Sequence, residues 1–221
     1  MSNKPLSLSV IREQLYSAVI SDALDAAGYR EQCMVTDIPM LPRTGIPRLA
    51  GYCRTTLWED IDFEDPEPYK LELEAVDACN RDDIIIAAAQ GSSRSGIWGE
   101  LLSTASLNRG CAGVIIDGAI RDVAAMREMQ FPVFAAGVCP YDSLNRQRVI
   151  SRDEPVTLGR VTIESGDFVF ADEDGIVIVP QKIEQEILTA AWEKVHAENE
   201  VRDAIRSGLG AQEAFKKYGV L

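Results

Sequence analysis

The chain has 221 residues, 46% hydrophobic and 26% charged, which suits one well-cored domain, leaves too little for two comfortable ones and excludes wholesale disorder. Its 35 acidic side chains outnumber 22 lysines and arginines, for a formal net charge of −13. Such a surface repels phosphate backbones and anionic headgroups, so nucleic-acid and membrane partners are disfavoured, and an anionic substrate needs a local cationic site or a metal.

Residues 9–27 place Ile11, Leu15, Val19, Ala23 and Ala26 at three- and four-residue spacing and stop at Gly28, which predicts one amphipathic helix with a glycine cap. LPRTGIPRLAG is a Pro/Gly-rich connection to a short strand over 52–57, and the acidic WEDIDFEDPEPY reads as a solvated loop. Helical spacing returns in KLELEAVDAC. The apolar run Ile84–Ala89 has the character of a strand covered on both faces. A glycine/serine loop follows at 91–96, then a helix over 98–109 stopped by Gly110, a strand over 113–117, the loop GAIR, a helix over 122–130 and a strand over 132–135. This β-loop-α alternation predicts a parallel sheet with packed helices. VTLGRVTIESGDFVFADEDGIVIVP reads as strands joined by Gly/Asp turns, the last a hairpin at Asp172–Gly175. Helices over 182–218 close the chain. The prediction is a single α/β domain spanning 1–221, with a parallel sheet core and a second β layer.

Two scarcities narrow the chemistry. The one histidine, His196, lies in a charged helical segment and reads as solvated surface; no lysine occurs between Lys70 and Lys182, which excludes a Schiff base centred on the Gly-rich middle. The five cysteines (Cys33, Cys53, Cys79, Cys111, Cys139) form no CxxC pair and read as free thiols of a reducing cytoplasm. The opening MSNKPLSLSVIREQ has no apolar core of signal-peptide length, and no run approaches about eighteen apolar residues. Oxygen-ligand metal chemistry remains, or no chemistry.

Ligands of open parallel sheets bind beyond the carboxyl ends of the strands. Two loops qualify. GSSRSGIWGELL lacks the GxGxxG spacing of a dinucleotide site but delivers backbone N–H groups at a helix start, where a carboxylate can sit; alone it also reads as a flexible loop with a cap. IIDGAIRD brings Asp117, Arg121 and Asp122 onto one short loop: Arg121 offers a planar fork for a carboxylate or keto-acid oxygen, and Asp122 an oxygen for Mg²⁺ or Mn²⁺. The same residues also read as a salt bridge capping a helix. Loops on adjacent strands would open onto one crevice.

The segment 81–140, with GIWGELLSTASLNRGCAGVIIDGAIRDVAAMREMQFPVFAAGVCP, resembles the RraA-like family, which includes the class II 4-hydroxy-4-methyl-2-oxoglutarate aldolases. SDALDAAG at 21–28, AGYCRTT at 50–56 and GDFVFADEDGIVIVP at 166–180 extend the resemblance over nearly the whole chain. It implies a swivelling β/β/α-type sandwich, a homotrimer or homohexamer, and active sites between subunits. It further implies that Gly99, Glu100, Leu101 and Leu102 hold the pyruvyl end of a substrate, that Arg121 contacts substrate, and that Asp122 ligates a divalent metal, mostly through waters. Glu100 fills the position of an acid about twenty residues before the Arg-Asp pair; the acid expected three residues after Asp122 is Ala125 here, with Glu128 nearest.

The expected function is a Mg²⁺- or Mn²⁺-dependent lyase that cleaves a small 2-oxo acid through a pyruvate enolate, with oxaloacetate decarboxylation beside aldol cleavage. Arg121 and the amides of 99–102 meet the developing enolate charge, and Glu100 orients the water that takes a C4 hydroxyl proton. As an N-terminal acid, Glu100 also reads as a helix-dipole partner. Glu198 or Glu200 of a neighbouring subunit could complete the site. Two other readings stand: a non-catalytic regulator that binds and inhibits a ribonuclease, which Ala125 suits, and a metal-dependent lyase of another 2-oxo acid, such as a sugar-derived one.

Overall fold

The computed structural model describes residues 5–219; the ends of the predicted domain, 1–4 and 220–221, lie outside the described residues. Two short helices open the chain, α1 (Leu8–Gln14) and α2 (Ser17–Ala26), where the sequence predicts one. Leu15 and Tyr16 are extended between them, because the Asp172 carboxylate captures the Ser17 backbone N–H at 2.8 Å and the Ser17 hydroxyl at 2.6 Å. That carboxylate supplies the cap that no local side chain provides. Gly28 ends α2 at φ 88°, as its position predicts.

Then come β1 (Leu41–Pro42), β2 (Leu49–Asp60), α3 (Lys70–Asp77), β3 (Asp83–Ala88), α4 (Glu100–Arg109), β4 (Gly113–Ile120), α5 (Val123–Glu128) and β5 (Val133–Val138). The chain continues through β6 (Gln147–Arg152), β7 (Val156–Leu158), β8 (Val161–Ile163), β9 (Phe168–Ala171) and β10 (Ile176–Val179) to α6 (Glu184–Arg206) and α7 (Ala211–Tyr218). The main sheet runs β1-β5-β4-β3-β2-β9-β10, with β6 also on β2. Strands β2 to β5 are mutually parallel; β1, β6, β9 and β10 pair antiparallel, so the sheet is mixed around a parallel centre.

Strand alternation divides the core. From β3, Ile84 and Ile86 face the β7–β8 hairpin, packing with Leu158, Val161 and Ile163, which is the predicted second β layer. Ile85 and Ala87 point to the opposite face, under Val76 of α3 and Met126 of α5. Phe168, Phe170, Val177 and Val179 meet Ile11, Ile20, Leu24 and Ile187 of α1, α2 and α6. Each side chain position thus follows from the two-residue period of its strand.

Other expectations change. The strand expected over 52–57 runs from Leu49 to Asp60, so Trp58–Asp60 of the run read as solvated loop are strand, held by pairing with β6, and Trp58 is buried. Gly118–Ile120, read as loop, belong to β4, where Ala119 and Ile120 pair with Gly137 and Val138 across a register shift after Ile116. Strands β1 and β6 are additions, both held by pairing rather than by apolar runs of their own.

Candidate functional site

The sheet brings the two predicted loops together. Residues 96–98 run beside the end of β4: Ile97 N–H donates to Ala119 C=O at 3.0 Å and Arg121 N–H to Trp98 C=O at 2.8 Å. Gly96 N–H donates to Tyr141 C=O at 2.9 Å, and the buried Ser95 N–H donates to Gln147 Oε1 of β6 at 2.9 Å. The glycine/serine loop is therefore pinned at its carboxyl end rather than free. Glycine is needed at two points by close approach. A Cβ on Gly96 would lie 2.4 Å from Cys139 C=O, and one on Gly99 would lie 2.5 Å from Asp122 Oδ2.

A cleft of about 310 Å³ opens between these segments and α3, walled by Tyr69, Glu72, Leu102, Arg121, Asp122 and Asp142. Asp122 adopts the left-handed region, φ 55° and ψ 33°, a conformation uncommon for a side chain other than glycine and one that here aims its carboxylate back at α4. Its Oδ2 accepts the Glu100 N–H at 3.2 Å, so an acid from another loop caps α4. The N–H groups of Leu101 and Leu102 have no partner among the described residues. Arg121 Nη2 meets Asp142 Oδ2 at 2.6 Å while Nε stays 3.9 Å from Asp122, which leaves the Nη1 edge of the fork without a partner among the described residues.

Asp142 also accepts the Tyr69 hydroxyl at 2.6 Å and the Leu144 N–H at 2.7 Å. Burial opposes its ionisation, but the Tyr69 and Leu144 hydrogen bonds and Arg121 outweigh it and hold the carboxyl below its ordinary value. Burial together with the Asp142 hydrogen bond pushes the Tyr69 phenol up to about 12. Glu72 behaves oppositely. Burial first, then repulsion from Asp142, raises its carboxyl to about 8 against the pull of Arg121.

Not every predicted residue gathers here. Asp117 lies within β4, not on the Arg121–Asp122 loop; it accepts the Ala89 N–H and, at 3.3 Å, the Gly91 N–H, bracing the start of the glycine/serine loop. The Glu100 carboxylate accepts the Thr104 hydroxyl at 3.0 Å, and its side chain is absent from the cleft lining. Ala125 and Glu128 sit on α5, outside that lining. Glu198 is engaged by the Tyr16 hydroxyl of its own chain and lies 3.9 Å from Lys194, while Glu200 is exposed on α6. His196 is exposed, its ring 3.9 Å from that of Trp192. All five cysteines are free.

Tyr69, Glu72 and Asp142 escaped the sequence reading. For Glu72 a signal existed: it shares a helix face with Ala75, Val76 and Cys79, all buried, and an acid on a buried face is rare without a reason. Asp142 in the turn PYDS carries no such mark.

As to a cation, no three His, Cys, Asp or Glu side chains gather to hold one among the described residues. Asp122 nonetheless fits a hard, hydrated ion: its side chain is 47% exposed and its Oδ1 takes no hydrogen bond among the described residues. Mg²⁺ commonly keeps several waters and uses one or two carboxylates plus substrate oxygens. No helix among the described residues is long and apolar enough to cross a membrane.

The chain is similar to several known proteins. The chain is 27% identical over 207 residues to protein DlpA of Legionella pneumophila, covering 91% of this chain and 32% of that protein. It is 31% identical over 144 residues to a Halalkalibacterium halodurans protein named "Putative 4-hydroxy-4-methyl-2-oxoglutarate aldolase", covering 65% of this chain and 68% of the other. It thus spans about a third of the length of the first relative and about two thirds of the second. A crystal structure from Pseudomonas syringae pv. tomato shares the fold with a TM-score of 0.84 at 24% identity, covering 99% of this chain and 98% of that one. RraAS2 of Streptomyces coelicolor, described as an unusual member of the RNase ES inhibitor RraA family, matches with a TM-score of 0.76 at 25% identity over 90% of this chain and 98% of its own. The family model described as RraA-like, Aldolase/RraA, matches residues 17–178, and the chain belongs to that family.

Proposed function

We propose that the protein is a divalent-metal-dependent lyase that cleaves a small 2-oxo acid and releases pyruvate, with 4-hydroxy-4-methyl-2-oxoglutarate and oxaloacetate as substrates. One observation carries this reading: the open edge of the Arg121 fork, the Asp122 carboxylate and the unpartnered N–H groups of Leu101 and Leu102 share one cleft. A 2-oxo carboxylate matches that set, offering anionic oxygens to the fork and to the amides.

Asp122 would hold Mg²⁺ or Mn²⁺, and the ion would supply Lewis-acid polarisation of the 2-keto oxygen. Arg121 binds the carboxylate and adds fixed positive potential where enolate charge develops, and the amides at the start of α4 add to it. Gly99 keeps that approach open, since any side chain there collides with Asp122. Glu100, between the lining residues Gly99 and Leu101 but bonded to Thr104 in one copy, would orient the water that accepts the C4 hydroxyl proton. A second copy of the chain closes the site in a homotrimer or a homohexamer. Leu101, 77% exposed, with Val138 and Tyr141, 62% and 61% exposed, leaves an apolar rim uncovered in one copy.

The relative names that carry the aldolase description support the lyase reading; the RraA-type neighbour supports the alternative of a protein-binding regulator without turnover. Oxaloacetate given to the protein with Mg²⁺ or with EDTA tests the first. Metal-dependent loss of CO₂ is expected, and Mg²⁺ with oxalate, a mimic of the pyruvate enolate, raises the melting temperature. Turnover unaffected by EDTA contradicts the metal role, and neither turnover nor a shift leaves the regulator.

A further inference from the structure

The cleft contains an acid that the lyase reading above does not use. Glu72, on α3, is 7% exposed, lines the cleft and makes no hydrogen bond or ion pair among the described residues. Its neighbour Asp142 is saturated by Arg121, Tyr69 and the Leu144 N–H. A buried carboxyl without a partner is costly as an anion and far cheaper as a neutral acid. The cleft thus presents two carboxyls with opposed surroundings, one stabilised as an anion and one as an acid, an arrangement by which proton donors are made.

We propose that Glu72 is the proton donor to C3 of the pyruvate enolate. The proposal rests on the lyase reading. After the C3–C4 bond breaks, its electron pair resides on the enolate; C3 takes the Glu72 proton, the enolate collapses to pyruvate, and Glu72 is left as a carboxylate. Solvent water returns that proton when product leaves and the cleft opens. In decarboxylation the departing fragment is CO₂, and in aldol cleavage it is the 2-oxo product whose hydroxyl proton went to the water at Glu100; in both, C3 gains one proton and Glu72 loses one. The raised affinity of Glu72 for its proton, about 8, keeps the donor charged with a proton at neutral pH.

Methyl exchange of pyruvate in D₂O, followed by proton NMR, reads this step alone, because it runs enolate formation and reprotonation without any C–C cleavage. The full chain is used with Mg²⁺, and CO₂ release from oxaloacetate and oxalate binding are measured beside it. Glu72→Gln is expected to slow exchange at least tenfold while CO₂ release falls less and oxalate affinity stays within threefold. Glu72→Asp, which keeps the proton but withdraws it by one methylene, exchanges at an intermediate rate. Exchange that persists in Glu72→Gln overturns the proposal, as does an equal fall of exchange, CO₂ release and oxalate binding, which marks a structural role. A wild-type protein that neither exchanges pyruvate nor releases CO₂ overturns the lyase reading itself, and this proposal with it.

Discussion

Replacing Glu72 by glutamine removes one titrating proton from the cleft at nearly constant volume, and the effect on stability has a definite sign. Unfolded, the carboxyl releases its proton near its ordinary value of 4.5; folded, it keeps it to about 8. Between those values the native state binds more protons than the unfolded one, so this group makes stability fall as pH rises. The slope approaches about 1.4 kcal/mol per pH unit, which accumulates to about 3 kcal/mol between pH 5 and pH 8. The groups facing Glu72 are Asp142, Arg121 and Tyr69, of which Asp142 titrates well below this window and Tyr69 well above it. Urea unfolding of wild type and Glu72→Gln at pH 5 and pH 8, with the midpoint and slope fitted at each, reads the difference. The glutamine variant should gain on wild type by about 3 kcal/mol from pH 5 to pH 8. A constant difference across that range would mean that Glu72 ionises normally in the folded protein, and would remove the basis for treating it as a neutral acid.

Two further perturbations separate the cleft from its scaffold. Gly99→Ala drives a Cβ to 2.5 Å from Asp122 Oδ2, so the exposed carboxylate must swing away; oxalate affinity in Mg²⁺, measured by calorimetry, should fall at least tenfold while the protein stays folded by thermal unfolding. Leu158→Ala hollows the buried face of the β7–β8 hairpin, on the other side of the sheet, and should cost about 2–5 kcal/mol by urea unfolding, with oxalate affinity unchanged.

Much of the scaffold could be read from local chemistry. Ile84–Ala89 announced a doubly covered strand, Gly28 and Gly110 ended helices at φ 88° and 82°, and the Asp172–Gly175 turn joins β9 to β10. What escaped depends on partners distant in sequence. The 3.6-residue period continues through Leu15 and Tyr16, and only Asp172, some 155 residues away, breaks it. β6 is polar enough to pass for loop and is a strand because β2 pairs with it. Gly118 and Ala119 lack strand-forming side chains, and with Ile120 they are drawn into β4 by β5. At the site, the juxtaposition of the Gly99 and Arg121 loops followed from parallel strand order, and the shared cleft shows it. The α3 wall did not follow, because the acidic run before it resembled plain surface while Glu72 was turning inward.

In the proposed lyase, one cleft with Arg121 and Asp122 in its wall cleaves a 2-oxo acid. Pyruvate release from 4-hydroxy-4-methyl-2-oxoglutarate, coupled to lactate dehydrogenase with Mg²⁺ present, should be clear in the wild type and fall at least a hundredfold in both Arg121→Ala and Asp122→Ala, since the first removes the positive charge that meets the enolate and the second the carboxylate that would hold the metal. Release that survives either substitution in a folded protein would place the chemistry elsewhere and contradict the account.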